Sequence, residues 1–157
     1  MTNLQGKRVV LGVCGGIAAY KACWLVRDLQ RVGAEVRVVM TESAQHFVSP
    51  LTLQALSGYT VRSAAFDPDA ERAMSHIELA RWADYLLIAP ATANTMARMA
   101  QGLADDLLST IYLASGAPVL LCPAMNRLMW QHSATQANAD ILRDRGVYVM
   151  EPHEGEQ

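Results

Sequence analysis

Charge is scarce in this sequence. Asp, Glu, Lys and Arg make up 18% of its 157 residues and nearly cancel, leaving a net charge of −2. With a pI near 6.0 there is no electrostatic footprint for nucleic acid or an anionic membrane. Long apolar runs are missing too. None approaches the roughly 20 residues of a membrane span, and Met1–Lys7 does not read as a signal peptide. The three cysteines, Cys14, Cys23 and Cys122, form no CxxC pair, and no HxxxH or His/Cys cluster occurs. These absences argue against a disulfide framework and a zinc site, and point to reduced thiols in a cytoplasmic protein. No internal repeat, low-complexity stretch or interdomain linker divides the chain.

What is plentiful is apolar surface, at 52% of residues. That surplus suits a sheet buried on both faces, with a subunit interface taking the remainder. Apolar, β-branched or alternating runs at Lys7–Val13, Glu35–Met40, Tyr85–Ala89, Pro118–Cys122 and Val147–Met150 read as strands, with a weaker one at Val61–Phe66 before an Asp67-Pro68-Asp69 turn. Helical spacing runs through Ile17–Val32, with Gly33 as its stop, and recurs in Leu51–Leu56, in Ala93–Ser115 with a break at Gly102, and in Thr135–Arg145. This alternation predicts an α/β fold: a doubly wound, Rossmann-like or flavodoxin-like parallel sheet in a single three-layer domain.

Open α/β sheets bind ligands outside the carboxyl ends of their strands. Two apolar strands here end in small, hydroxyl and amide residues, Pro90-Ala91-Thr92-Ala93-Asn94-Thr95 and Pro123-Ala124-Met125-Asn126. After the first strand, Gly12-Val13-Cys14-Gly15-Gly16-Ile17 allows a phosphate close to a helix N-terminus. The spacing is not GxGxxG, and the second strand ends in Met40-Thr41, with Glu42 one residue late for the acid that holds an adenosine ribose. Hydroxyls at Thr41 and Ser43 suit a terminal phosphate or a ribityl chain, so a mononucleotide such as FMN is the first reading and a dinucleotide the second. Each of these residues also has a structural explanation. Thr92, Asn94 and Asn126 are natural helix caps, Phe47 would ordinarily be core, and a lone His76 behind Ser75 would ordinarily be solvated or capping. Asp105-Asp106 would point about 100° apart on a helix, so they read as positioning the next helix or bridging to a neighbour, not as paired catalytic acids.

Four motifs in order carry a resemblance: Gly15-Gly16-Ile17-Ala18-Ala19-Tyr20-Lys21, the Pro90–Thr95 stretch, Ala104-Asp105-Asp106-Leu107-Leu108-Ser109-Thr110, and Pro123-Ala124-Met125-Asn126 followed by Met129-Trp130. With His76 in a His-Ile-x-Leu setting, the chain resembles the flavin-dependent cysteine decarboxylases over nearly its whole length, most closely their phosphopantothenoylcysteine decarboxylase branch. The resemblance implies FMN bound by Gly15, Gly16, Ile17, Ala18, Thr41, Ser43, Phe47, Thr92, Ala93, Asn94, Thr95, Ala124 and Met125. It implies His76 as the residue that assists proton movement and Asn126 as the partner of the substrate carboxylate. The implied substrate is 4′-phosphopantothenoylcysteine, decarboxylated oxidatively toward 4′-phosphopantetheine in coenzyme A biosynthesis. A trimer-based dodecamer and a covalently linked synthetase domain are also implied. The family's lid cysteine is not matched within residues 1–157, so the expectation is a domain cut before its substrate lid that stops at the enethiol. A peptidyl-cysteine decarboxylase and a non-catalytic flavin-binding regulator of the same family are the alternative readings.

Overall fold

The computed structural model describes residues 3–63 and 67–153. Five strands, β1 (Arg8–Val13), β2 (Glu35–Met40), β3 (Tyr85–Ala91), β4 (Val119–Pro123) and β5 (Tyr148–Val149), pair in parallel in the order β2-β1-β3-β4-β5. This is the flavodoxin-like order of a doubly wound sheet, as the sequence predicts.

Alternation along the strands sorts their side chains into two cores. Val10, Val39, Leu86, Ile88, Leu121 and Val149 face one way. There they meet Leu79 of α4 (His76–Trp82), Met96 and Met99 of α5 (Ala93–Gln101), Leu108 and Ile111 of α6 (Leu107–Ala114) and Leu142 of α8 (Ser133–Asp144). Val9, Leu11, Val36, Val38 and Leu87 face the other way, against Ala22 and Val26 of α1 (Lys21–Arg31) and Leu53 of α2 (Pro50–Ser57). Full burial of such a side chain stabilises by about 1.5–3 kcal/mol. The second face is incompletely covered. Leu120 and Cys122 are only partly buried there, and Tyr148, paired with Leu120, is 68% exposed.

The structure amends the sequence reading at several joints. The helix after β1 opens as a 3-10 turn over Ile17–Tyr20, because its N-cap Gly16 has no side chain to satisfy the first N–H groups. The Val61–Phe66 run yields a single parallel bridge, Arg62 with Val39, while Ala64, Ala65 and Phe66 lie outside the described residues. The Asp67-Pro68-Asp69 turn is instead a helix start: Asp67 caps α3 (Pro68–Ala73), and Pro68 needs no hydrogen-bond acceptor there. A short α7 (Arg127–Gln131), not apparent in the sequence pattern, follows Asn126. Asp105 and Asp106 sit in a turn and not on a helix. Arg98 donates to Asp105 at 2.9 Å, and Asp106 caps α6 in a capping box with Ser109.

Candidate functional site

The chain leaves β1 for β2 on one side and returns to β3 on the other. The connections after β1 and β3 therefore diverge, opening a crevice at their carboxyl ends. Those ends carry Cys14-Gly15-Gly16 and Pro90–Thr95, and the structure stitches them together. The Cys14 N–H donates to the Pro90 carbonyl at 3.1 Å, and the Cys14 thiol donates to Thr95 Oγ1 at 3.3 Å. Burial pushes the Cys14 thiol above its ordinary range, although its bonds with Thr95 and Thr92 pull the other way. Thr95 is 2% exposed, so it braces the crevice wall rather than facing a ligand. Thr92 caps α5 by accepting the Thr95 N–H at 3.2 Å.

The end of β2 closes the crevice from the side. The Thr41 N–H donates to the Val13 carbonyl at 3.0 Å, and Thr41 Oγ1 lies 3.3 Å from Ser43 Oγ. Gly15 is packed against that segment: a Cβ there would strike Ser43 Oγ and lie 2.6 Å from Ser43 Cβ and 2.7 Å from its carbonyl carbon. A Cβ on Gly16 would instead meet nothing within 4 Å. Gly16 leaves the N–H groups of Ile17 and Ala18 without a capping side chain, beside two hydroxyls. Such a turn fits an anionic phosphate monoester. At β4 the Ala124 N–H donates to the Ala91 carbonyl at 3.0 Å, bringing the Pro123–Asn126 turn alongside. Asn126 caps α7 with Oδ1, accepting from Leu128 at 2.8 Å and Met129 at 3.4 Å.

The sequence-predicted residues thus divide. Gly15, Gly16, Thr41, Ser43, Thr92, Thr95 and Ala124 are joined through backbone and side-chain contacts at one sheet edge. Ile17, Phe47, Asn94 and Asn126 are exposed, Ala18, Ala93 and Met125 are half-buried, and no hydrogen bond among the described residues ties them across the crevice. His76 stands apart, at the first position of α4 behind the Ser75 cap. Its Nδ1 lies 3.2 and 3.3 Å from the two carboxylate oxygens of Glu71, which also accept its backbone N–H. Arg62 donates to Glu71 at 2.6 Å and to the Met74 carbonyl at 2.6 Å. Its backbone is hydrogen-bonded to Val38 and Met40, the latter next to Thr41. Although burial works in the opposite direction, bonds from His76 and Arg62 hold the Glu71 carboxyl below its ordinary range. Sequence reasoning missed Glu71 and Arg62. Glu71 lies five residues before His76 on the preceding helix, with Met74 and Ser75 extended between them, so neither this contact nor the pairing with Arg62 follows a helical spacing the sequence displays.

The family model described as Flavoprotein matches residues 1–156. The chain belongs to the Flavoprotein family. Its Flavoprotein relatives include the coenzyme A biosynthesis bifunctional protein CoaBC of Escherichia coli strain K12, 55% identical over 155 residues. That match takes in 99% of this chain and 38% of CoaBC, so the chain spans well under half the length of the curated relatives it matches. Among solved Flavoprotein structures, the FMN-dependent cysteine decarboxylase SpaF superposes with a TM-score of 0.89 at 36% identity, over 97% of this chain and 87% of its own. A PPC decarboxylase mutant complexed with pantothenoylaminoethenethiol gives 0.81 at 35% identity, over 94% and 83%.

Proposed function

We propose that this chain is an FMN-dependent carboxy-lyase that decarboxylates 4′-phosphopantothenoylcysteine in coenzyme A biosynthesis. The observation that carries the reading is the crevice itself: unbonded helix N–H groups and neutral hydroxyls face a sheet edge in a chain 55% identical to CoaBC. The residues present fit FMN. Ile17 and Ala18 N–H groups with the Thr41 and Ser43 hydroxyls would hold its phosphate and ribityl chain, and Thr92, Ala93 and Asn94 would line the ring's side, with Thr95 bracing them from behind. When bound, FMN supplies a two-electron acceptor for the thiol-bearing carbon, which places the carboxylate next to an electron sink.

The protein's own part is positioning and proton movement. Asn126 spends Oδ1 on the N–H groups of α7, which leaves its Nδ2 protons to donate to the substrate carboxylate. A neutral donor holds that carboxylate without the charge pairing that would stabilise it in the ground state. His76 moves a proton at the substrate thiol. The partly covered sheet face around Leu120, Cys122 and Tyr148 supports a homo-oligomer, and a trimer-based dodecamer is the assembly we propose. A covalently linked synthetase and a cytoplasmic location belong to the same proposal. Among the described residues no helix is long and apolar enough to cross a membrane.

The test is direct. The purified chain, supplied with FMN, should show flavin absorbance and release CO2 from 4′-phosphopantothenoylcysteine. Flavin binding with CO2 released from a cysteine-ended peptide, and none from the phosphorylated substrate, would refute the substrate assignment.

A further inference from the structure

We propose that Glu71 is a positioning residue for His76, and that Arg62 fixes Glu71 in that task. The inference rests on the catalytic reading of His76 but concerns a different question: which ring nitrogen is free to act. Both Glu71 oxygens lie within 3.3 Å of His76 Nδ1, so the carboxylate can only accept there, and Nδ1 carries the proton. Nε2 is then the unprotonated nitrogen and acts as the base. The same carboxylate binds the backbone N–H of His76, locking ring and helix start to one anchor.

Arg62 makes this a constrained arrangement rather than a surface ion pair. Its side chain is 9% exposed, one Nη holds Glu71 at 2.6 Å and the other holds the Met74 carbonyl between Glu71 and His76. Its backbone is clamped to β2 through the Val38 carbonyl and the Met40 N–H. A change at the Thr41 end of β2 is thereby linked mechanically to the His76 ring. Other charged groups on the surrounding elements are Glu78 and Arg81 on the same helix, Asp69 and Arg72 on α3, Arg8 on β1, and Arg37, which reaches the Met74 sulfur at 3.8 Å. The facing helix α6 bears no Asp, Glu, Lys or Arg. Among the described residues, Glu71 is the one whose side chain contacts the His76 ring nitrogen.

Glu71→Gln makes the idea testable at constant size. Arg62 will claim the one remaining carbonyl oxygen, turning the amide N–H2 toward Nδ1, which must then accept; the ring flips to the Nε2–H tautomer. The 15N shifts of His76 in the labelled chain, read without cofactor at about pH 8.5, alkaline of the ordinary imidazole range, report this directly. We expect Nδ1–H in the unmodified chain, Nε2–H in Glu71→Gln, and Nδ1–H again in Glu71→Asp. In the FMN-loaded enzyme, Glu71→Gln should lower kcat by about 10- to 100-fold, leave KM within about twofold, and be partly rescued by Glu71→Asp. An Nε2–H or mixed tautomer in the unmodified chain would overturn the proposal, as would a Glu71→Gln enzyme with unchanged kcat. Full activity in His76→Gln would instead overturn the catalytic reading of His76, leaving the tautomer result to stand on its own.

Discussion

Gly15→Ala should damage stability and cofactor binding together, because one contact serves both. At Gly15 the added methyl meets Ser43 Cβ at 2.6 Å and, more seriously, the Ser43 carbonyl carbon at 2.7 Å. Ser43 Oγ can rotate away, but Cβ and the carbonyl carbon cannot yield without moving the backbone at the end of β2. Gly15 has no positive φ, so the cost is steric, not conformational. Overpacking of this kind costs about 1–3 kcal/mol, which in a domain of this size lowers Tm by roughly 2–12 °C. On the proposed FMN site, the same displacement would pull Ser43 and Thr41 off the phosphate. Losing one charge-assisted hydrogen bond costs about 1.5–3 kcal/mol, or roughly 10- to 150-fold in Kd for FMN. Thermal melts and flavin fluorescence titration measure the two effects. Gly16→Ala is the control, since its Cβ meets nothing and its φ of −150° suits any residue. Its Tm should stay within about 1–2 °C of the parent. Ser43→Gly in the Gly15→Ala background should recover only part of the loss, because the carbonyl contact survives. Gly15→Ala with parental Tm and parental FMN affinity would show that the two turns are not in contact as described.

Three other outcomes follow from named contacts. Asn126→Asp keeps an equally good cap on α7, so Tm should hold while affinity for the acidic substrate falls through like-charge repulsion; unchanged affinity would remove Asn126 from the carboxylate site. Cys14, buried and with its thiol pushed up by that burial, should resist a thiol reagent at about pH 8 until the chain unfolds, whereas Cys23 and Cys122 react earlier; rapid labelling of Cys14 would contradict its place under Thr95. The backbone N–H of Arg8, 2.8 Å away, and then its guanidinium hold the Asp84 carboxyl below its usual value, so the folded pKa is the lower one. Its stabilising share is complete above the ordinary Asp pKa and is lost as pH falls through the folded value. Asp84→Asn should therefore flatten the fall in urea midpoint between about pH 5 and pH 2, and an unaltered acid limb would count against this pairing.

The strands were legible because burial on both faces demands continuous apolar, β-branched residues, and Glu35–Met40 matches its strand at both ends. The helix starts were less so, since they depend on what caps them. Gly16 gives no cap and α1 begins late, whereas Asp67 with Pro68 gives a good one and turns a presumed turn into a helix. The Val61–Phe66 run misleads for a physical reason: the residue that pairs with β2 is Arg62, whose buried guanidinium is held by Glu71 and Met74. The crevice motifs could be read at sequence level because each is contiguous and sits at a strand end. The Arg62–Glu71–His76 chain could not, because its first link joins an edge bridge of the sheet to a helix nine residues on, and only the fold places them in contact.

Helix capping and ligand binding draw on the same crevice residues, but they use different atoms. Thr92 Oγ1 accepts from Thr95, Thr41 Oγ1 from Ala44, and Asn126 Oδ1 from Leu128. Each of these bonds consumes acceptor capacity and leaves a donor: two hydroxyl protons and the Asn126 amide protons. The unbonded N–H groups of Ile17 and Ala18 add two more donors, and the one acid in this segment, Glu42 between Thr41 and Ser43, is exposed. An edge so built rejects ligands that offer mainly hydrogens and favours ligands rich in acceptor oxygens. A phosphorylated flavin and a substrate carrying a carboxylate and a phosphate both meet that demand. The caps that hold the fold therefore also set the polarity of the ligand.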